Sequence, residues 1–343
     1  MRRSVLPVVF LASLVACTDK DDAEFRTDVS LKMHASITED LQDLARAAGM
    51  LQSHAPSRAW DPSADKAAII DMQNDWKSTR IAWEHVEGAV APVFPGFNVA
   101  LDARYEDFLI GLRPGGGDRN LFDGTGVVGM HAIERILFAH EIRPEIVATE
   151  NALPGYKPAG YPATDSEAIA FKTQLVQRLI DDTNALIDAW QPEQVDISAA
   201  YIGLVGLMSE QREKVNLAVT GEEESRYANI TLFDLRNNLD GTKKAYEKFR
   251  EWILAKAADS SDRRILDRFT SLMEAYYTTN SDSLPAVPVG WSSDHPTADN
   301  LNTPFGALWM QIRDSVDPSM DGSVVFEMNR VATVLGFSPF IEQ

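Results

Sequence analysis

Apolar residues recur at three-and-four spacing along nearly the whole chain, and that period belongs to helices. Ile37, Leu41, Leu44, Ala48 and Leu51 keep it, as do Ile69, Met72, Trp76, Trp83 and Val90. Further helical periods cover 98–112, 169–190, 198–219, 230–257, 262–277, 305–316 and 322–335. No stretch alternates strongly enough to build a sheet, so the chain is predicted to be all-α. Its 343 residues exceed one ordinary hydrophobic core, which predicts two helical-bundle domains. The Pro- and Gly-rich segment 143–164 is the predicted linker between an N-terminal domain, 25–142, and a C-terminal one, 165–343.

The first residues carry an address. Arg2 and Arg3 precede an apolar run, Leu6 to Val15, that is too short for a stable membrane span. Leu14-Val15-Ala16-Cys17 resembles a bacterial lipobox. The resemblance implies a signal peptide over 1–16, lipid on Cys17 and a polar tether over 17–24. The mature chain is then expected outside the cytoplasm, on the periplasmic side, joined to a membrane by lipid alone. Cys17 is the single cysteine, which rules out an internal disulfide and a thiolate metal site.

A formal charge of −19 argues against nucleic acid and anionic membrane surfaces as partners, and taken alone describes a well-solvated acidic surface. More specific chemistry lies in Gly129-Met130-His131-Ala132-Ile133-Glu134. His131 and Glu134 share a helical face with Val127 and Phe138, so an imidazole and a carboxylate project together from an apolar stripe. Such a pair needs a cation, a proton or a metal. On the Trp76 to Val90 helix, Arg80 and Glu87 also take inward phases, with Trp83 between them. Arg80 and Glu84 could instead pair at the surface. Asp102, Glu106 and Asp107 supply further carboxylates on the 98–112 helix. Gly124 to Gly129 fits G-x-G-x-x-G, but no strand precedes it, so no nucleotide is expected there.

These motifs together resemble the imelysin family. The G-x-H-x-x-E motif at 129–134, the Trp76-Arg80-Trp83-Glu87 run, the acidic segment 100–107 and Leu232-Phe233-Asp234-Leu235-Arg236-Asn237-Asn238-Leu239-Asp240-Gly241 carry the resemblance in order. It implies two helical domains with a site near their interface, in proteins described as peptidases, as iron-regulated proteins or as parts of iron uptake. A zinc peptidase helix would carry H-E-x-x-H or H-x-x-E-H, and here Arg135 stands where the second histidine would be. One histidine among carboxylates suits a harder ion, iron first, with zinc, calcium or manganese as competitors. The expected ligands are His131, Glu134, Glu87 and Asp107, with Asp102 as alternate; Arg80 and Trp83 would stand behind them, and envelope iron-transport proteins would be partners. As a peptidase the chain would depend on Glu134 for catalysis; a zinc site could borrow Glu87, Asp102 or Asp107 but would then lack an obvious separate general base. A third reading is a metal-independent polymer- or protein-binding module using Trp60, Trp190, Trp291 and Trp309.

Overall fold

The computed structural model describes residues 20–111, 118–191 and 195–342. Cys17 and the signal peptide lie outside the described residues. Among those described, secondary structure is helical and no strand occurs. The chain builds α1 (Asp22–His54), α2 (Lys66–Glu84), α3 (Glu87–Val90), α4 (Pro95–Asp102), α5 (Tyr105–Gly111), α6 (Met130–Leu137), α7 (Pro144–Asn151), α8 (Asp165–Ala170) and α9 (Val176–Ala189). It continues with α10 (Ile197–Asn216), α11 (Thr231–Ala255), α12 (Asp259–Thr278), α13 (Ala298–Leu301), α14 (Pro304–Val316) and α15 (Val324–Val334). No helix among the described residues is long and apolar enough to cross a membrane.

The boundaries follow local chemistry. Asp21 caps α1, accepting from the Glu24 backbone N–H while the Glu24 carboxylate returns to Asp21 N, a reciprocal capping box. Helix α1 therefore starts inside the stretch expected to be tether. The long helix anticipated through Val90 breaks at His85 and Val86, and the one anticipated over 98–112 breaks where Ala103 turns extended. Both breaks matter for the site. The segment 143–164 contains α7, whose Pro144 sits in the first turn, where a missing N–H costs nothing.

Helix α1 packs on α2 and α9, α2 on α6, and α4 on α9. A second group joins α10, α11, α12, α14 and α15. The groups meet where α11 touches α1 and α2 and where α10 touches α3. Helix α9 follows 143–164 in sequence yet belongs with α1 and α4. Buried apolar residues of both groups form one continuous core. Close approach there needs glycine: a Cβ on Gly203 of α10 would strike the Gly88 carbonyl and Pro92, and one on Gly241 of α11 would strike the His85 backbone.

Candidate metal centre

The site begins at a glycine. Gly129 has φ 88°, a conformation few L side chains adopt, and a Cβ there would lie 2.6 Å from the Leu101 carbonyl oxygen. Its bare backbone lets the start of α6 press against the end of α4. On the other side, Trp76 Nε1 of α2 donates to the Met130 carbonyl at 3.0 Å. Helix α6 is consequently buried along its length, and His131 faces Asp102, the last residue of α4.

His131 Nδ1 lies 2.8 Å from Glu134 Oε2. The other oxygen, Glu134 Oε1, accepts the backbone N–H groups of Tyr227 at 3.0 Å and Ala228 at 2.9 Å. Glu134 is fully buried, so both its oxygens are committed. This arrangement keeps a proton on Nδ1 and turns Nε2 toward Asp102 and Glu224. Nε2 is buried and has no aligned hydrogen-bond partner. It stands 3.3 Å from Asp102 Oδ1 and 3.7 Å from Glu224 Oε1. One ligand atom each from Asp102, His131 and Glu224 fall within 4.8 Å of one another.

Arg80 holds those two carboxylates. Its guanidinium donates to Asp102 and Glu84, reaches Glu224 Oε1 at 3.1 Å, and presents Nε 3.5 Å from Asp234 Oδ1. Lys214 of α10 supplies a second cation, 3.3 Å from Glu224 Oε2 and 3.2 Å from Glu87 Oε2. Asn238 of α11 donates to Glu84 and Glu87 and accepts from Lys214. Acids exceed bases in this interior: Glu84, Glu87, Asp102, Glu134, Glu224 and Asp234 face Arg80, Lys214 and His131.

The protonation equilibria reflect that excess. Burial raises a carboxyl pKa, yet Lys214, His131 and Arg80 together hold Glu224 well below the usual range. Asp102 is likewise lowered, its burial outweighed by Arg80 and His131. Burial opposes the His131 imidazolium, but Asp102, Glu134 and Glu224 raise its pKa well above the ordinary value. Asp234, with less help from Arg80, is pushed by burial up to about 7.

The residues expected from sequence divide. His131, Glu134, Arg80 and Asp102 come together. Glu87 joins the cluster through Lys214 and Asn238 rather than through the imidazole. Asp107 does not join: it is exposed and sits 3.7 Å from Arg104. The break at Ala103 explains both acids, since it ends α4 with Asp102 pointing inward and restarts the chain with Asp107 outside. Trp83 is fully buried as core. The Arg80 and Glu84 pair, one turn apart, is buried and not superficial. Trp60, Trp190, Trp291 and Trp309 are all buried, which removes them as a binding surface.

Sequence reasoning missed Glu224, Lys214 and the role of Asp234 and Asn238. The last two lie in the 232–241 run that carries part of the family resemblance; Glu224 follows a Thr-Gly break with no period to orient it. Its position depends on a pinned loop. Arg226 pairs with Glu106 of α5, Tyr227 donates its hydroxyl to Glu150, and Arg135 of α6 donates to the same Glu150 at 3.0 Å. Arg143 holds Glu223, and Arg104 donates to the Glu222 carbonyl at 2.8 Å. Asp102 and Glu224 reach solvent at the base of a cleft of about 430 Å³ whose walls include Glu87, Asp107, Glu210, Glu213, Arg104 and Lys214. Acids dominate it, so its field draws cations inward.

The imelysin family model matches residues 37–290. The chain therefore belongs to the imelysin family. A crystal structure of an imelysin-like protein from Psychrobacter arcticum 273-4 shares the fold, with TM-score 0.57 at 12% identity, covering 94% of this chain and 99% of that one. No curated protein sequence matches the chain.

Proposed function

We propose that this protein binds a metal ion, iron first among the candidates, through His131 Nε2, Asp102 and Glu224 beside the acidic cleft. The observation that carries the reading is the buried Nε2, which has no aligned hydrogen-bond partner and faces Asp102 and Glu224, two carboxylates whose pKa values Arg80 lowers. Its separations of 3.3 and 3.7 Å resemble the spacing between neighbouring ligands on an ion with bonds of about 2.1 Å. One imidazole with carboxylates and no thiolate suits iron, manganese or zinc better than soft Cu(I). Glu134 orients the imidazole instead of ligating. A hydrolytic reading would ask Glu134 to act as base, and neither of its oxygens is free to take a proton from water.

In this proposal the chain is an envelope lipoprotein tethered through Cys17, and the ion is cargo taken up or passed on beside iron-transport partners. Asp102 and Glu224 line the acidic cleft, whose walls draw cations toward them, and this supports a bind-and-release role. The test is metal analysis of protein purified without chelator, followed by loading with Fe²⁺, Zn²⁺ or Ca²⁺. One equivalent in the wild-type protein, lost in His131→Ala, Asp102→Asn and Glu224→Gln, is the expected result. Equal stoichiometry and affinity in all four proteins would overturn it.

A further inference from the structure

The Lys214 ammonium occupies a cage of oxygens. Glu87 Oε2 lies 3.2 Å from Nζ, Glu224 Oε2 3.3 Å, and Asn238 Oδ1 3.1 Å. The cage is built from separate elements: α3 gives Glu87, the pinned loop gives Glu224, and α11 gives Asn238. Asn238 is oriented within it, because its Nδ2 donates to Glu84 and Glu87 while Gln211 Nε2 donates to its Oδ1 at 3.4 Å. Two carboxylate oxygens and an amide oxygen converging on one point form a donor set for a hard divalent cation. Here that point holds a charge tethered to α10.

Glu224 connects this cage to the His131 centre. Its Oε1 faces His131, Arg80 and, across them, Asp102; its Oε2 faces Lys214. A carboxylate shared in this manner is how two-metal sites hold ions about 3.5–4 Å apart. The Lys214 side chain also lines the cleft, so a competing ion has a path to the same oxygens.

We propose that Lys214 fills, with its own ammonium, the second position of a carboxylate-bridged pair of cation sites, so that the wild-type centre takes one metal ion and a divalent cation enters the Glu87–Glu224–Asn238 cage when the ammonium is removed. The proposal rests on the reading that His131, Asp102 and Glu224 hold the first ion. Lys214 is on this account a specificity residue: it sets the stoichiometry and keeps the centre from assembling the two-ion arrangement that hydrolytic enzymes use.

The test is Mn²⁺ binding by equilibrium dialysis, with electron paramagnetic resonance to separate isolated ions from coupled pairs. Wild type, Lys214→Arg, Lys214→Met, Lys214→Gln and the double variant His131→Ala/Lys214→Met are compared. One equivalent with an isolated-ion spectrum is expected for wild type and Lys214→Arg. Two equivalents with a coupled-pair spectrum are expected for Lys214→Met and Lys214→Gln, and one for the double variant. Wild-type stoichiometry in Lys214→Met and Lys214→Gln overturns the proposal while leaving the first site standing. No binding by wild type, with one equivalent in both Lys214→Met and the double variant, overturns the His131 reading and leaves the cage. No binding by any protein overturns both. Loss of a buried ammonium can unfold the chain, so circular dichroism is recorded with and without Mn²⁺: folding restored by the ion supports the cage, and variants that stay unfolded with it count against the cage.

Discussion

Glu134 grips His131 across one helical turn, with Oε2 2.8 Å from Nδ1, while the backbone of Tyr227 and Ala228 grips Oε1. The carboxylate thus joins α6 to the loop that carries Glu224, and it selects the tautomer of the imidazole. One side chain orients the imidazole and fixes the loop that places Glu224 beside it.

Glu134→Gln tests that coupling with almost no change in shape. The two backbone N–H donors require the amide oxygen at the Oε1 position, which turns the amide NH₂ toward His131 Nδ1. Nδ1 must then accept, so the proton moves to Nε2 and blocks the lone pair. Metal affinity should fall by at least the ~10–100-fold typical of removing an orienting partner. Isothermal titration with Mn²⁺ measures it, and wild-type affinity in Glu134→Gln would dismiss the orienting role.

Asp102 and Asp107 separate a proposed ligand from a rim acid. Asp102→Asn should abolish loading, because it removes an anionic oxygen 3.3 Å from Nε2. Asp107→Asn should change affinity by no more than about twofold, since its charge is exposed and screened. Equal losses in the two variants would mean that the cleft's field, rather than coordination, holds the ion.

What sets each feature decides how legible it is in the sequence. Helices over 169–335 are readable because amphipathic period is local, and His131, Glu134 and Arg80 keep their phases on single helices. The choice between Asp102 and Asp107 depends on a break at Ala103 that no Pro or Gly announces. Glu224 and Lys214 enter through tertiary contacts, which leave no period behind. Segment 143–164 reads as a linker because its prolines look like breaks, whereas Pro144 starts α7; and α9 packs with α1 across that segment, a pairing that spacing along the chain does not encode.

Backbone proximity gives a stability test. Gly203→Ala places a methyl against the Gly88 carbonyl and Pro92 where α10 meets α3, and neither neighbour is the end of a flexible side chain. Overpacking of this kind costs about 1–3 kcal/mol or more. A methyl on Gly49 of α1 would meet nothing within 4 Å, so Gly49→Ala should instead stabilise by about 0.4–1 kcal/mol. Denaturant midpoints compare the two; a neutral Gly203→Ala would show that the α10 and α3 contact is loose.

The pH dependence has opposite signs for the metal-free protein and for metal binding. Without metal, the raised His131 pKa means that protonation stabilises the fold. That contribution is fully present below the ordinary value of 6.5 and is lost as pH rises through the folded value. Metal needs Nε2 unprotonated, so binding expels the proton, and affinity should climb ~10-fold per pH unit below the folded pKa. Asp234, pushed up to about 7, adds negative charge over the same interval and acts in the same direction. Mn²⁺ titrations between about pH 6 and 8 should therefore tighten as the metal-free protein's melting temperature loses the His131 contribution, with proton release seen by an indicator dye in weak buffer. An affinity that stays flat across this range, with no proton released, would remove His131 from the ligand set.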